Sequence, residues 1–183
     1  VDSREIITVK GYGGTWGRAV QALESLHRVQ GQIAEYEIHV VSVTSDVQKE
    51  ITRLLRTSNL NIIAHPKFSL STSEVRTLLM RSKYYIALSE SDGFPASLME
   101  ALLCGCIPIQ SSTACIPGDL LSISPDCFLP KEEWDEVGER LVALDSGDDG
   151  VLALSNRFSS WAREQQMSPD DFRSALSKSY GLS

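Results

Sequence analysis

The sequence predicts a Rossmann-like α/β/α sandwich around a parallel sheet, on two observations. Short β-rich apolar runs alternate with longer helical ones from Glu5 to Leu129, the pattern that right-handed βαβ crossovers produce. The runs themselves are nearly continuous in apolar residues, as in strands covered on both faces.

Each element follows from local pattern. Glu5-Ile6-Ile7-Thr8-Val9 reads as a first strand, stopped by the glycines Gly11, Gly13 and Gly14. From Arg18 to Val29, apolar residues at Val20, Leu23, Leu26 and Val29 have helical spacing. Glu37 to Val43 is a second strand, and Ser45 is a good N-cap for the helix through Leu54 and Leu55. Asn61-Ile62-Ile63-Ala64 is a short third strand, and Ser73 starts a helix through Leu78, Leu79 and Met80. Tyr84 to Leu88 is a fourth strand, followed by a helix beginning near Pro95 or Ala96. Ile107 to Gln110 is a fifth strand, and Asp126 to Leu129 reads as a sixth. Beyond Pro130 the character changes to a charged helix, Lys131 to Leu144, and then a second helix, Val151 to Gln166. Ser168 caps a last helix carrying Phe172, Leu176 and Tyr180. With no repeat or low-complexity segment, residues 1–183 read as one domain.

The chain has 183 residues, enough for a real core, and its 42% hydrophobic and 22% charged content is ordinary for a soluble domain. A net charge of -7 argues against a general nucleic-acid or anionic-membrane binder, since both need a basic face. No apolar run approaches a bilayer span, and no signal peptide opens the chain. A cytoplasmic location is expected. Val1 is not an initiator methionine, in keeping with a fragment of a longer chain. The four cysteines, Cys104, Cys106, Cys115 and Cys127, lack zinc-site spacing and read as small buried thiols. The three histidines form no nucleophile–base arrangement and read as structural or solvent-facing.

Ligands of open parallel sheets bind beyond the carboxyl ends of the strands. Two segments belong there. In Lys10-Gly11-Tyr12-Gly13-Gly14-Thr15-Trp16-Gly17-Arg18, glycines permit close approach of an anion and Lys10 and Arg18 add positive charge. The segment is neither a Walker A loop nor GxGxxG, and a tight turn with two solvated basic residues explains it equally well. In Asp92-Gly93-Phe94-Pro95-Ala96-Ser97-Leu98-Met99-Glu100, a strand runs through a turn into a helix. Asp92 and Glu100 can face one cleft, because i and i+8 return to the same side of a helix. The plainer reading makes Asp92 a cap and Glu100 a surface residue. Yet Glu100 stands almost alone among Ala96, Leu98, Met99, Ala101, Leu102 and Leu103, and that isolation favours a ligand.

The run from Asp92 to Ile109, DGFPASLMEALLCGCIPI, resembles the donor-binding segment of retaining GT-B glycosyltransferases of group 1, family 4-like. That group includes sucrose and trehalose-6-phosphate synthases and many bacterial polysaccharide and lipid glycosyltransferases. Its hallmark is two acids with seven residues between them, in a pattern like E-G-F-x-x-x-x-x-E-A-x-x-x-G-x-P-V. The match continues through Glu100-Ala101, Gly105 and Pro108, and the first acid is Asp rather than the commoner Glu.

The resemblance implies that this chain is the C-terminal, nucleotide-sugar-binding half of such an enzyme, the N-terminal acceptor half being absent. It places Asp92 beside the donor sugar as the catalytic acid and Glu100 on the ribose hydroxyls. Gly93, Phe94, Pro95 and Ala96 would form the turn against sugar and diphosphate, with Gly13, Gly14, Lys10 and Arg18 at the diphosphate. The loop His65-Pro66-Lys67-Phe68 lies where such enzymes contact the base, although a surface loop fits as well. The loop from Ala114 to Leu120 preserves another family contact only loosely. No obligatory metal or other cofactor is implied, since positive charge does that job, and membrane contact would come only through the missing half. The implied reaction moves a sugar from a nucleoside diphosphate to an acceptor hydroxyl in polysaccharide, lipid or glycan synthesis. Half an active site predicts an inactive fragment. Two alternatives stay open: a non-catalytic nucleotide-sugar binder, and an epimerase-like GT-B protein, which the Asp92…Glu100 spacing disfavours.

Overall fold

A computed structural model describes residues 4–14, 17–91, 95–112, 115–146 and 150–165. Six parallel strands form one sheet: β1 (Ile6–Lys10), β2 (Glu37–Val43), β3 (Asn61–Pro66), β4 (Ser82–Ala87), β5 (Ile107–Ser111) and β6 (Phe128–Leu129). The order is β3-β2-β1-β4-β5-β6, as in dinucleotide-binding Rossmann sheets. The chain winds outward from β1 through β2 to β3, then crosses back to β4 and winds the other way. The reversal lies between β1 and β4, where Val9 is in register with Val40 of β2 on one side and Ile86 of β4 on the other.

Helices cover both faces. On one, α1 (Ala19–Arg28) packs against α2 (Ser45–Thr57) and α6 (Val137–Asp145). On the other, α4 (Ala96–Leu103) packs against α3 (Thr72–Arg81) and α7 (Gly150–Glu164). A short α5 (Gly118–Leu121) follows β5. The central strands are largely apolar because both faces are covered: Ile7, Val9, Ile38, Val40, Ile86, Ile107 and Ile109 are all buried. No helix among the described residues is long and apolar enough to cross a membrane.

Several boundaries move from their predicted places, for physical reasons. β1 extends to Lys10, so that side chain sits at the strand's very end. Thr44, not Ser45, takes the N-cap position of α2, its hydroxyl being engaged by the Gly13 N–H and the Asp46 carboxylate. Ser71, not Ser73, begins α3: its hydroxyl accepts from the Glu74 N–H while Glu74 reaches back to the Ser71 N–H, a complete capping box. β3 continues through His65 and Pro66, which were predicted as loop. Proline is tolerated there because β3 is an edge strand. The charged helix after Pro130 divides into a 3-10 segment, Lys131–Glu136, and α6. Of the cysteines, Cys106 and Cys127 are buried as expected, but Cys104 is only partly so and Cys115 is exposed. The helix expected after Ser168 lies outside the described residues.

Candidate functional site

The carboxyl edge of the sheet at the β1/β4 reversal collects part of the predicted set. β1 delivers Lys10. α4 starts at Pro95, which takes the cap position with extended backbone and leaves the first helical N–H groups pointing out of the helix. Leu98, Ala101 and Leu102 form the buried face of α4, and this phase turns Glu100 to solvent. Lys10, Pro95, Ala96, Ser97 and Glu100 together line a cleft of about 420 Å³. The Glu100 carboxylate makes no hydrogen bond or ion pair among the described residues. The same carboxylate also borders a second cleft of about 760 Å³ between α3, α4 and the end of α7.

The smaller cleft includes residues that sequence reasoning missed. Thr8 and Tyr85 come from the facing strands β1 and β4, and Tyr12 from the turn after β1. Ser42 has a left-handed φ of +63°, uncommon outside glycine, where the β2/β3 register shifts between Val41 and Val43. A serine between two valines carries no sequence signal of that conformation. Gly11 is required by close approach, since a Cβ there would lie 2.6 Å from the Val41 carbonyl oxygen.

Gly13, Gly14 and Arg18 are placed differently. The Gly13 N–H donates to Thr44 Oγ1 at 3.1 Å and the Gly14 N–H to Asp46 Oδ2 at 2.8 Å, while the Thr44 hydroxyl donates to the same carboxylate. An internal carboxylate therefore occupies the turn that was predicted to take phosphate. The Thr44 hydroxyl above all holds the Asp46 carboxyl below its ordinary pKa. Arg18 donates through Nη1 to the Gly14 carbonyl at 2.9 Å and through Nε to Glu90 at 3.1 Å. Lys131 donates to the other Glu90 oxygen at 2.7 Å, and these two cations, Lys131 first, hold the Glu90 carboxyl low. Gly13, Gly14 and Arg18 line a separate depression of about 470 Å³ that also holds Glu24, Asp46 and Asp135. The structure thus brings Lys10, Pro95, Ala96 and Glu100 together and sets Gly13, Gly14 and Arg18 apart. Asp92, Gly93 and Phe94 lie outside the described residues, as does Ala114 of the later loop.

Two histidines form a pair that their sequence separation hid. His39 Nδ1 lies 2.9 Å from His65 Nε2, with the rings stacked at 5.1 Å, and His39 Nε2 is 3.3 Å from Glu37. Burial, then the neighbouring His39, push the His65 pKa down. Among the described residues no group of three or more His, Cys, Asp or Glu side chains is placed to hold a metal ion.

This geometry, a Rossmann sheet with a cation and a helix-borne carboxylate at its switch point, coincides with a family match. The model of the family "Glycosyl transferases group 1" matches residues 3–141, which span the whole sheet and its helices as far as α6. The chain belongs to that family. No curated protein sequence matches it. Among solved structures, the group 1 glycosyltransferase domain here is similar to the catalytic domain of cholesterol-α-glucosyltransferase from Helicobacter pylori, at 10% identity and a TM-score of 0.72, covering 90% of this chain and 100% of that one. It is similar to the C-terminal domain of a glycosyl transferase group 1 family protein (LpcC) from Francisella tularensis, at 14% identity and a TM-score of 0.75, covering 87% and 85%. It is also similar to TarM of S. aureus, at 14% identity and a TM-score of 0.75, covering 96% of this chain and 35% of that one. At such identities these likenesses establish a shared fold, the Rossmann-like half of a GT-B glycosyltransferase. Against TarM and WaaG the chain spans only 35% and 46% of their length, consistent with one half of a larger two-part enzyme.

Proposed function

We propose that this chain binds the nucleotide-diphosphate sugar of a retaining glycosyltransferase that passes the sugar to an acceptor hydroxyl in polysaccharide, lipid or glycan synthesis. The observation that carries the reading is the cleft of about 420 Å³ shared by Lys10, the α4 N-terminus and Glu100. An ionised carboxylate on the exposed face of α4 accepts hydrogen bonds from two vicinal ribose hydroxyls at once. The free N–H groups at the start of α4 and the Lys10 ammonium are suited to the diphosphate and to the charge it gains as it leaves. That positive charge serves without an obligatory metal. Asp92, between β4 and α4 in sequence, acts at the donor sugar, and a separate acceptor-binding domain completes a cytoplasmic enzyme.

Calorimetric titration with a panel of nucleotide sugars tests this. One of them is expected to bind, and Glu100→Gln is expected to weaken it by about 2 kcal/mol, roughly thirtyfold, without altering the fold. Equal affinity in wild type and variant would remove Glu100 from the site. A second reading, a nucleotide-sugar binder without turnover, draws support from the closure of the glycine turn on Asp46 and of Arg18 on Glu90. Transfer by the full-length protein excludes it.

A further inference from the structure

Glu100, together with Val75 and Leu79, borders both the cleft of about 760 Å³ and the cleft of about 420 Å³, and among the described residues it is the one charged side chain they share. A nucleotide is a chain with the ribose in its middle, its base to one side and its phosphates to the other. On the reading of Glu100 as the ribose ligand, the two arms must therefore enter different clefts. The smaller one holds the Lys10 cation and the helix N-terminus, which suit the diphosphate. The larger one has an apolar wall of Leu70, Val75, Leu79 and Leu103, which suits a flat aromatic base. Two arginines stand on that wall, Arg76 from α3 and Arg163 from α7. Both are exposed, and neither has an ion-pair or hydrogen-bond partner among the described residues, in a chain that carries 24 acidic side chains against 17 basic ones. The nearby Cys104 thiol does not neutralise Arg76, because burial pushes it up and keeps it uncharged.

A guanidinium offers five N–H donors in a planar fork and accepts nothing. It pairs with adjacent acceptors such as the O6/N7 edge of guanine, or with a uracil carbonyl, and it meets a donor in the exocyclic amine of adenine. We propose that the larger cleft seats the base of the donor nucleotide and that Arg76 selects a base bearing an exocyclic carbonyl, guanine or uracil, over adenine. This rests on the proposed nucleotide-sugar function and adds to it the class of nucleotide.

The test is titration of GDP, UDP and ADP into the 183-residue chain and its Arg76→Ala and Arg76→Lys variants. The variants should fold, since Arg76 is exposed. In the wild type, ADP is expected to bind at least about tenfold more weakly than the better of GDP and UDP. Arg76→Ala should reduce that preference to within about threefold. Arg76→Lys, which keeps the charge without the fork, should not restore it. Equal binding of all three diphosphates by the wild type, or a preference that survives in Arg76→Ala, overturns the inference while leaving the nucleotide site standing. Full restoration by lysine overturns it too, by showing that charge alone acts. Failure of every diphosphate to bind overturns the nucleotide reading itself, and this inference with it.

Discussion

Lys10 and Arg18 were equals in the sequence, two basic residues bracketing one glycine cluster. The structure separates them by what each faces. Lys10 ends β1 and shares a cleft with Glu100, whereas Arg18 is bound to Glu90 and to the Gly14 carbonyl in a depression lined by three carboxylates. A diphosphate approaching Arg18 would have to displace Glu90 and face Glu24, Asp46 and Asp135. We therefore expect Lys10→Ala to weaken nucleotide-sugar binding by about tenfold and Arg18→Ala to change it by less than about threefold. Calorimetry on the two variants checks the order, and a larger loss for Arg18 would reverse the assignment. The partners that decide the matter, Glu90 and Lys131, are remote from the glycine turn in sequence, so no local pattern could reveal them.

The elements were mostly legible because their signals are local: apolar runs for the strands, helical spacing of apolar residues in α1, a proline at the start of α4. What escaped is what depends on neighbours. Pro66 reads as a breaker, and only its place on an edge strand lets β3 run through it. Asp145 falls just past the predicted charged helix, yet its carboxylate ties α6 to β4 and to the segment before β2. It accepts from Tyr36 Oη at 2.8 Å and Tyr84 Oη at 2.9 Å, and it is paired with Lys83. Burial opposes ionisation, but the hydrogen bonds from Lys83, Tyr36 and Tyr84 prevail and hold the carboxyl below its ordinary value. A depressed carboxyl contributes stability that is present above the unfolded-state pKa, near 4, and is lost as pH falls through the lower folded value. Asp145→Asn is expected to cost about 2 kcal/mol at neutral pH. It should also flatten the acid limb of the stability–pH curve below about pH 4, which denaturant melts across pH would show. An unchanged acid limb would mean that the cluster does not couple to folding.

For the whole molecule, the sheet order places the candidate site between β1 and β4, and the chain spans 35% of the length of TarM and 46% of that of WaaG. The chain alone is expected to bind a nucleotide sugar in calorimetry but to transfer nothing to an acceptor in a product assay. Transfer by the isolated chain would contradict its being one half. The same sheet order has a bearing on synthesis. β1 leaves the ribosome before the other strands but ends up in the middle of the sheet, and its β4 neighbour begins only at Ser82. At cellular translation speeds that leaves one edge of a largely apolar strand unpaired for on the order of ten seconds. Lys10 is then in hand long before Glu100, so no nucleotide sugar can assist the early steps of folding. The nascent chain must shield that edge by itself or with a chaperone until its fourth strand arrives.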